Sequence, residues 1–191
     1  MDGWCSDEKR DVLQEICDNE NTCKVAEIGV YKGKSVIYMA QSLKKHGGLV
    51  YAIDPWTVKA VQQGYDNTDT NYKWWTKLDY SKTYNNFQEN VQTYGVQETI
   101  VEVRGESQDV FDQFKDESLD LLHIDGNHSR LCSTRDVLLY FNKVKKGGYI
   151  MMDDTNWKTT FNAQRELLRL GAVEVKSCEG RPWALYKRNA V

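Results

Sequence analysis

The chain has 191 residues, with 25 Lys and Arg against 28 Asp and Glu, a net charge of −3 and 40% hydrophobic residues. That length supports one domain, 1–191, with a sizeable core. The acidic balance leaves no basic footprint for nucleic acid, and no apolar run approaches the roughly 20 residues of a membrane span. Residues 1–10 lack the apolar stretch of a secretory signal. The five cysteines, at 5, 17, 23, 132 and 178, form no C-x-x-C pair, which points to reduced thiols in a cytoplasmic setting.

Helix and strand patterns alternate along the chain, the signature of βαβ units around a parallel sheet. Ser6 can cap a first helix that buries Val12, Leu13 and Ile16. Lys24 to Gly29 reads as a strand, followed by a helix from about Lys34 that Gly47-Gly48 stops. Leu49 to Ile53 is a second strand ending at Asp54, and Thr99 to Val103 a third. Two apolar runs then end in acid, Leu119–Ile124 at Asp125 and Tyr149–Met152 at Asp153-Asp154. Further helices are predicted near Ser81–Tyr94, Gln108–Phe114, Ser133–Val144 and Phe161–Leu170. Val173–Lys176 and Trp183–Lys187 flank a Gly-containing turn and read as an antiparallel hairpin at the sheet edge.

Residues 55–80 break the alternation. This stretch is too long for a plain connection and carries Trp56, Tyr65, Tyr72, Trp74, Trp75 and Tyr80 among polar residues. It reads either as a surface flap whose aromatics pack on the body or as a lid over the active edge, with flat aromatic faces suited to sugar rings or planar aromatics.

Strand ends in an open α/β sheet gather at one ligand-binding edge. Three carboxylates there, Asp125, Asp153 and Asp154, repel one another unless a cation sits among them; a hard divalent ion such as Mg2+ or Mn2+ suits oxygen donors. The turn after the first strand, Glu27-Ile-Gly29-Val-Tyr31-Lys-Gly33-Lys-Ser35, has the wrong spacing for a P-loop and Tyr31 where a dinucleotide fold needs Gly. Glu27 repels phosphate and suits an ammonium group. Asp54, 21 residues after Gly33, stands where an acid can hold a ribose diol. An adenosine ligand with an ammonium group and no phosphate is S-adenosylmethionine.

The stretch from Glu27 to Ala40 closely resembles the cofactor motif of class I methyltransferases, above all the metal-dependent catechol O-methyltransferase type. Arg104-Gly-Glu-Ser107-Gln108-Asp109 looks like that group's adenine-side motif. His123 to Trp157 resembles the small metal-dependent sugar O-methyltransferases that include macrocin O-methyltransferase, with an H-I-D-G-D/N-H signature, a Gly-Gly and a D-D. The resemblance implies a Rossmann-like α/β fold: a mostly parallel seven-stranded sheet, helices on both faces and a reversed last hairpin. It places Glu27, Gly29, Tyr31, Gly33 and Ser35 around the methionine portion, Asp54 on the ribose, and Ser107 and Gln108 at the adenine. It makes Asp125, Asp153 and Asp154 the metal ligands, with Asp125 also at the cofactor. His128 falls where the catechol enzymes have a Lys base, so His128 and Asp125 are the candidate catalytic residues. Trp56, Trp74, Trp75, Asn156 and Trp157 are the candidate acceptor contacts, and His123 reads as a packed strand residue.

The expected activity is therefore S-adenosylmethionine- and metal-dependent O-methylation of a sugar hydroxyl on a glycan or glycosylated metabolite. A catechol-type small-molecule enzyme and a non-catalytic cofactor-binding module are the alternatives. The chain could equally be one domain of a larger glycan-synthesising protein.

Overall fold

Alternating strand and helix patterns become a sheet whose central strands are buried on both faces. The computed structural model describes residues 1–178 and 183–189. In chain order the elements are α1 (Asp7–Cys17), β1 (Lys24–Ile28), α2 (Lys34–Leu43), β2 (Leu49–Ile53), α3 (Val58–Gln62), α4 (Thr70–Trp75), α5 (Tyr80–Thr93) and β3 (Ile100–Val103). There follow α6 (Ser107–Val110), β4 (Leu119–Ile124), α7 (Arg130–Tyr140), β5 (Val144–Asp153), α8 (Phe161–Arg169), β6 (Ala172–Ser177) and β7 (Trp183–Arg188). The strand order is β3-β2-β1-β4-β5-β7-β6. Strands β1 to β5 run parallel, and β7 runs antiparallel to β5 and β6. This is the Rossmann-like methyltransferase fold with its reversed hairpin. The Gly-containing turn of that hairpin lies outside the described residues.

Successive strand residues point to opposite faces, and each face builds a core. Val25, Leu121 and Met151 pack with Leu13, Ile37 and Phe87 of α1, α2 and α5. Ala26, Leu122 and Met152 pack with Val137, Tyr140 and Leu167 of α7 and α8. Among the described residues no helix is long and apolar enough to cross a membrane.

Three boundaries differ from the sequence expectation. The helix read at Gln108–Phe114 is the short α6 followed by a 3-10 turn, Phe111–Gln113. Helix α7 starts three residues earlier than expected because the Ser129 hydroxyl caps it, accepting from the Cys132 amide at 3.3 Å. It ends at Tyr140, and Val144 begins β5, which runs ten residues through Gly147 and Gly148.

Residues 55–80 lie against the body of the domain. They form α3 and α4 and dock on the loop after β4, where the Asn127 amide donates to the carbonyls of Ala60 and Gln63, both at 3.0 Å. Trp56, expected among the acceptor contacts, is a buried anchor, 3% exposed. Its ring stacks on Phe87 at 5.1 Å, and its Nε1 donates to the Tyr31 carbonyl at 2.8 Å. A large ring that follows a strand end gains more from burial than from solvent. Trp56→Phe should therefore cost about 1–2 kcal/mol, from the lost hydrogen bond and contacts. Urea denaturation checks this, and an unchanged midpoint would return Trp56 to the surface.

Candidate functional site

The site forms where the strand order reverses direction, between β1 and β4, at their carboxyl ends. The two chains cross closely there. Gly29 has φ +88°, and a Cβ on it would stand 2.2 Å from the Asp125 carbonyl, so only glycine lets the β1 turn pass the β4 end. Gly33 has φ +82° and caps α2, with the Phe87 ring 2.6 Å from its would-be Cβ. The neighbours that leave no room for a Cβ at these two positions are protein atoms, and Gly29 also lines the cavities described below. Tyr31, Trp56 and Asp154 also hold positive φ, at 53°, 47° and 49°. All three follow strand ends at this edge, where backbone strain commonly marks function.

Asp54 holds the first turn. Its Oδ2 accepts from the amides of Val30 and Tyr31 at 2.9 and 3.1 Å, and its Oδ1 accepts from Trp56 at 2.7 Å. Burial pushes this carboxyl above its ordinary range, although the three amides oppose the shift. A carboxylate offers about four acceptor positions, so one remains on Oδ1 for a ligand hydroxyl.

Behind the turn, Glu27 is 1% exposed. It accepts from the Ser35 hydroxyl at 2.7 Å and from His123 Nδ1 at 2.9 Å. His123 is a packed strand residue, as expected, and its other nitrogen, Nε2, faces the site. It is buried without a hydrogen-bond partner among the described residues and lies 3.7 Å from Asp125 Oδ2.

The carboxylates converge, and two cations meet them. Lys9, from α1, is 3% exposed. Its ammonium donates to Asp153 Oδ2 at 2.8 Å and Asp125 Oδ2 at 3.2 Å. Burial would lower the Lys9 pKa, but the charges of Asp125 and Asp153 outweigh it and raise it. His128 Nε2 lies 3.0 Å from Asp154 Oδ2 and 3.6 Å from Asp125 Oδ1. Burial works against its charge, yet Asp125 and Asp154 push its pKa up to about 10. Burial alone would raise Asp125, but Lys9 first and then the two histidines hold it well below the usual carboxylate range. Burial and the neighbouring Asp125 push Asp153 up. Three carboxylates thus face two cations and leave an acidic excess. Asp125 divides it, turning Oδ2 to Lys9 and His123 and Oδ1 to His128.

Two cavities open here. The larger, about 550 Å³, is lined by Glu27, Gly29, Tyr31, Ser35, Trp74, Trp75, Asp125, His128, Asp153, Asp154 and Trp157. The smaller, about 110 Å³, is lined by Asp54, Trp56, Ser107 and Gln108. They meet at Gly29, Tyr31, Trp75, Asp125 and His128, which line both. Gln108 Oε1 is buried and unpartnered among the described residues. Asn156 is exposed and lines neither cavity.

Sequence reasoning missed Lys9, Trp4 and Asp136. Trp4 packs with Tyr31, Trp74 and Trp75, at centroid distances of 5.0, 5.2 and 5.7 Å, into one aromatic wall of the larger cavity. Asp136, 2% exposed in the wall of the smaller cavity, accepts from the Ser107 hydroxyl at 2.5 Å. Burial pushes its carboxyl up to about 6.

Residues 26–155 match the model of the methyltransferase domain family. Among curated proteins none matches the sequence significantly. Solved structures share the fold. The O-methyltransferase NovP aligns with a TM-score of 0.73 at 16% identity, over 95% of this chain and 80% of its own. The O-methyltransferase TomG of Streptomyces achromogenes, solved in complex with SAM, aligns at 0.67 and 12%, over 97% and 82%. A Bacillus cereus O-methyltransferase in complex with SAH aligns at 0.65 and 15%, over 96% and 81%.

Proposed function

Because the chain belongs to the methyltransferase domain family, we propose that it is an S-adenosylmethionine-dependent O-methyltransferase acting on a sugar hydroxyl. The observation that carries this reading is the pair of cavities joined at Gly29, Asp125 and His128. A ligand with an adenosine half and an amino-acid half matches that shape. Its adenine would meet Ser107 and the free Gln108 acceptor, its ribose Asp54, and its methionine portion the turn that begins at Glu27. The SAM and SAH complexes of the structural neighbours support the same ligand class. Gln108→Ala should weaken S-adenosylmethionine binding about 5- to 10-fold, the loss of one hydrogen bond of about 1–1.5 kcal/mol. Calorimetry reads this, and unchanged affinity would move the adenine elsewhere.

The donor set also fits a divalent cation. Its oxygens are hard, the acidic excess needs neutralising, and His123 Nε2 is orphaned beside it. Asp125, Asp153 and Asp154 would hold the ion, which supplies a Lewis acid that lowers the pKa of an acceptor hydroxyl. The chain's own residues do the rest. His128, whose ring lines both cavities, accepts the hydroxyl proton at Nε2 when the ring is neutral. The acceptor oxygen then bonds to the sulfonium methyl carbon while the carbon–sulfur pair returns to sulfur, leaving S-adenosylhomocysteine. The elements around the cavities align donor and acceptor for that displacement. Trp74, 43% exposed, and the half-buried Trp157 offer ring faces on which a sugar can stack.

The deciding assay is methyl transfer from labelled S-adenosylmethionine to a panel of sugars and catechols, with and without EDTA. Transfer to sugars that EDTA abolishes is expected. Transfer to catechols alone would discard the sugar, and full activity in EDTA would discard the ion. Binding of NAD or ATP in place of S-adenosylmethionine would discard the cofactor.

A further inference from the structure

Lys9 is the least expected member of the site. It lies on the buried stripe of α1 with Val12, Leu13 and Cys17, and its side chain is 4% exposed. Its ammonium engages one oxygen of Asp125 and one of Asp153, and that Asp125 oxygen is also the one facing His123 Nε2. One donor atom from each of His123, Asp125 and Asp153 lies within 4.8 Å of the others, the spacing of ligands around a single ion. His123 is held for such a role: Glu27 fixes its Nδ1, and its Nε2 is fully buried with no hydrogen bond among the described residues. The cluster therefore has two halves. The inner half carries a nitrogen donor, and the outer half, Asp125 Oδ1 with Asp154 Oδ2, faces His128.

We infer that Lys9 is a specificity-determining residue. Its tethered ammonium fills the inner half of the cluster, keeps a divalent cation off the His123 imidazole and directs it to the outer carboxylate oxygens. This rests on the proposed ion at Asp125, Asp153 and Asp154. The chemistry follows from ligand preference. A site with imidazole and carboxylates favours Zn2+ and its neighbours in the Irving–Williams order, whereas oxygen donors suit Mg2+ and Mn2+. A fixed positive charge a few ångströms from the imidazole also repels any ion that approaches it. A salt bridge that merely anchored α1 to the sheet would not set metal preference.

The test compares metal-free wild type with Lys9→Met, which keeps the stem's length and packing, after circular dichroism confirms that both are folded. Zn2+ affinity is measured by chelator competition, and imidazole ligation by the visible absorption of added Co2+. Lys9→Met should bind Zn2+ about 100-fold tighter than wild type, within the reach of one removed unit charge at this range. Adding His123→Phe should cancel the gain, and Lys9→Arg should keep the wild-type affinity. Equal Zn2+ affinity in wild type and folded Lys9→Met would overturn the role. So would a gain that survives loss of His123, or imidazole ligation of Co2+ in wild type that His123→Phe abolishes. Lys9→Gln serves the same comparison if Lys9→Met does not fold. The two failures separate. Wild type that binds neither Mg2+ nor Mn2+ refutes the ion on which the inference rests. Unchanged Zn2+ affinity in Lys9→Met refutes the role of Lys9 with that ion still bound.

Discussion

His128→Ala is expected to lower kcat/KM about 100- to 10,000-fold, the usual contribution of a positioned general base. Its ring lines both cavities and lies 3.0 Å from Asp154 and 3.6 Å from Asp125. These two carboxylates favour the protonated ring, with its pKa pushed up to about 10. The base form appears above the ring's pKa, and a divalent ion held by the same carboxylates would offset their pull, so kcat/KM of wild type should rise with pH along a limb that His128→Ala lacks. The same pairing contributes to stability. With a folded pKa above the roughly 6.5 of an unfolded histidine, it is fully present below about pH 6.5 and is lost as pH rises through about 10. His128→Gln should flatten that stretch of a Tm-against-pH curve. A pH–rate profile in which wild type and His128→Ala differ only in height would remove the base role from this residue.

Asp125→Ala should abolish turnover and destabilise the fold by about 3–5 kcal/mol, the cost of stripping one partner from a buried charged network. Lys9, His123 and His128 all turn toward this carboxylate. Its removal leaves the Lys9 ammonium with Asp153 alone and His128 with Asp154 alone. Asp125→Asn keeps the volume and one acceptor, so it should lose activity with a smaller stability loss. Urea denaturation beside the methyl-transfer assay separates the two effects. A variant with an unchanged denaturation midpoint would show that the cations find other partners at no cost.

Much of the frame was legible because it follows from local rules. Apolar runs that end in acid predicted the ends of β4 and β5, and a Ser cap before an apolar stripe predicted α1. The β1 turn was located by its glycines, but their purpose was not: close passage of Asp125, in Gly29's case, depends on which strand lies beside β1. Helix ends at Arg130 and Tyr140 were misjudged because caps and strand starts compete within a few residues. Trp56 could not be told from its neighbours Trp74 and Trp75, since an aromatic in a polar stretch packs or stands exposed according to what lies beneath it. Lys9 left a trace in the sequence. It falls three and four residues before Val12 and Leu13, on the stripe that α1 buries, and a lysine there needs an anion.

The sequence by itself determined the alternation of elements, the βαβ class, the acidic ends of three strands and the glycine turn after the first strand, because these depend on periodicity and on chemistry close along the chain. Only the tertiary structure decided which charges meet. Lys9 and Asp153 are 144 residues apart, and Glu27 and His123 are 96 apart. Their pairing depends on α1 lying against the β4–β5 edge and on β1 lying next to β4, so the division of Asp125 between a lysine and a histidine appears only when the sheet closes.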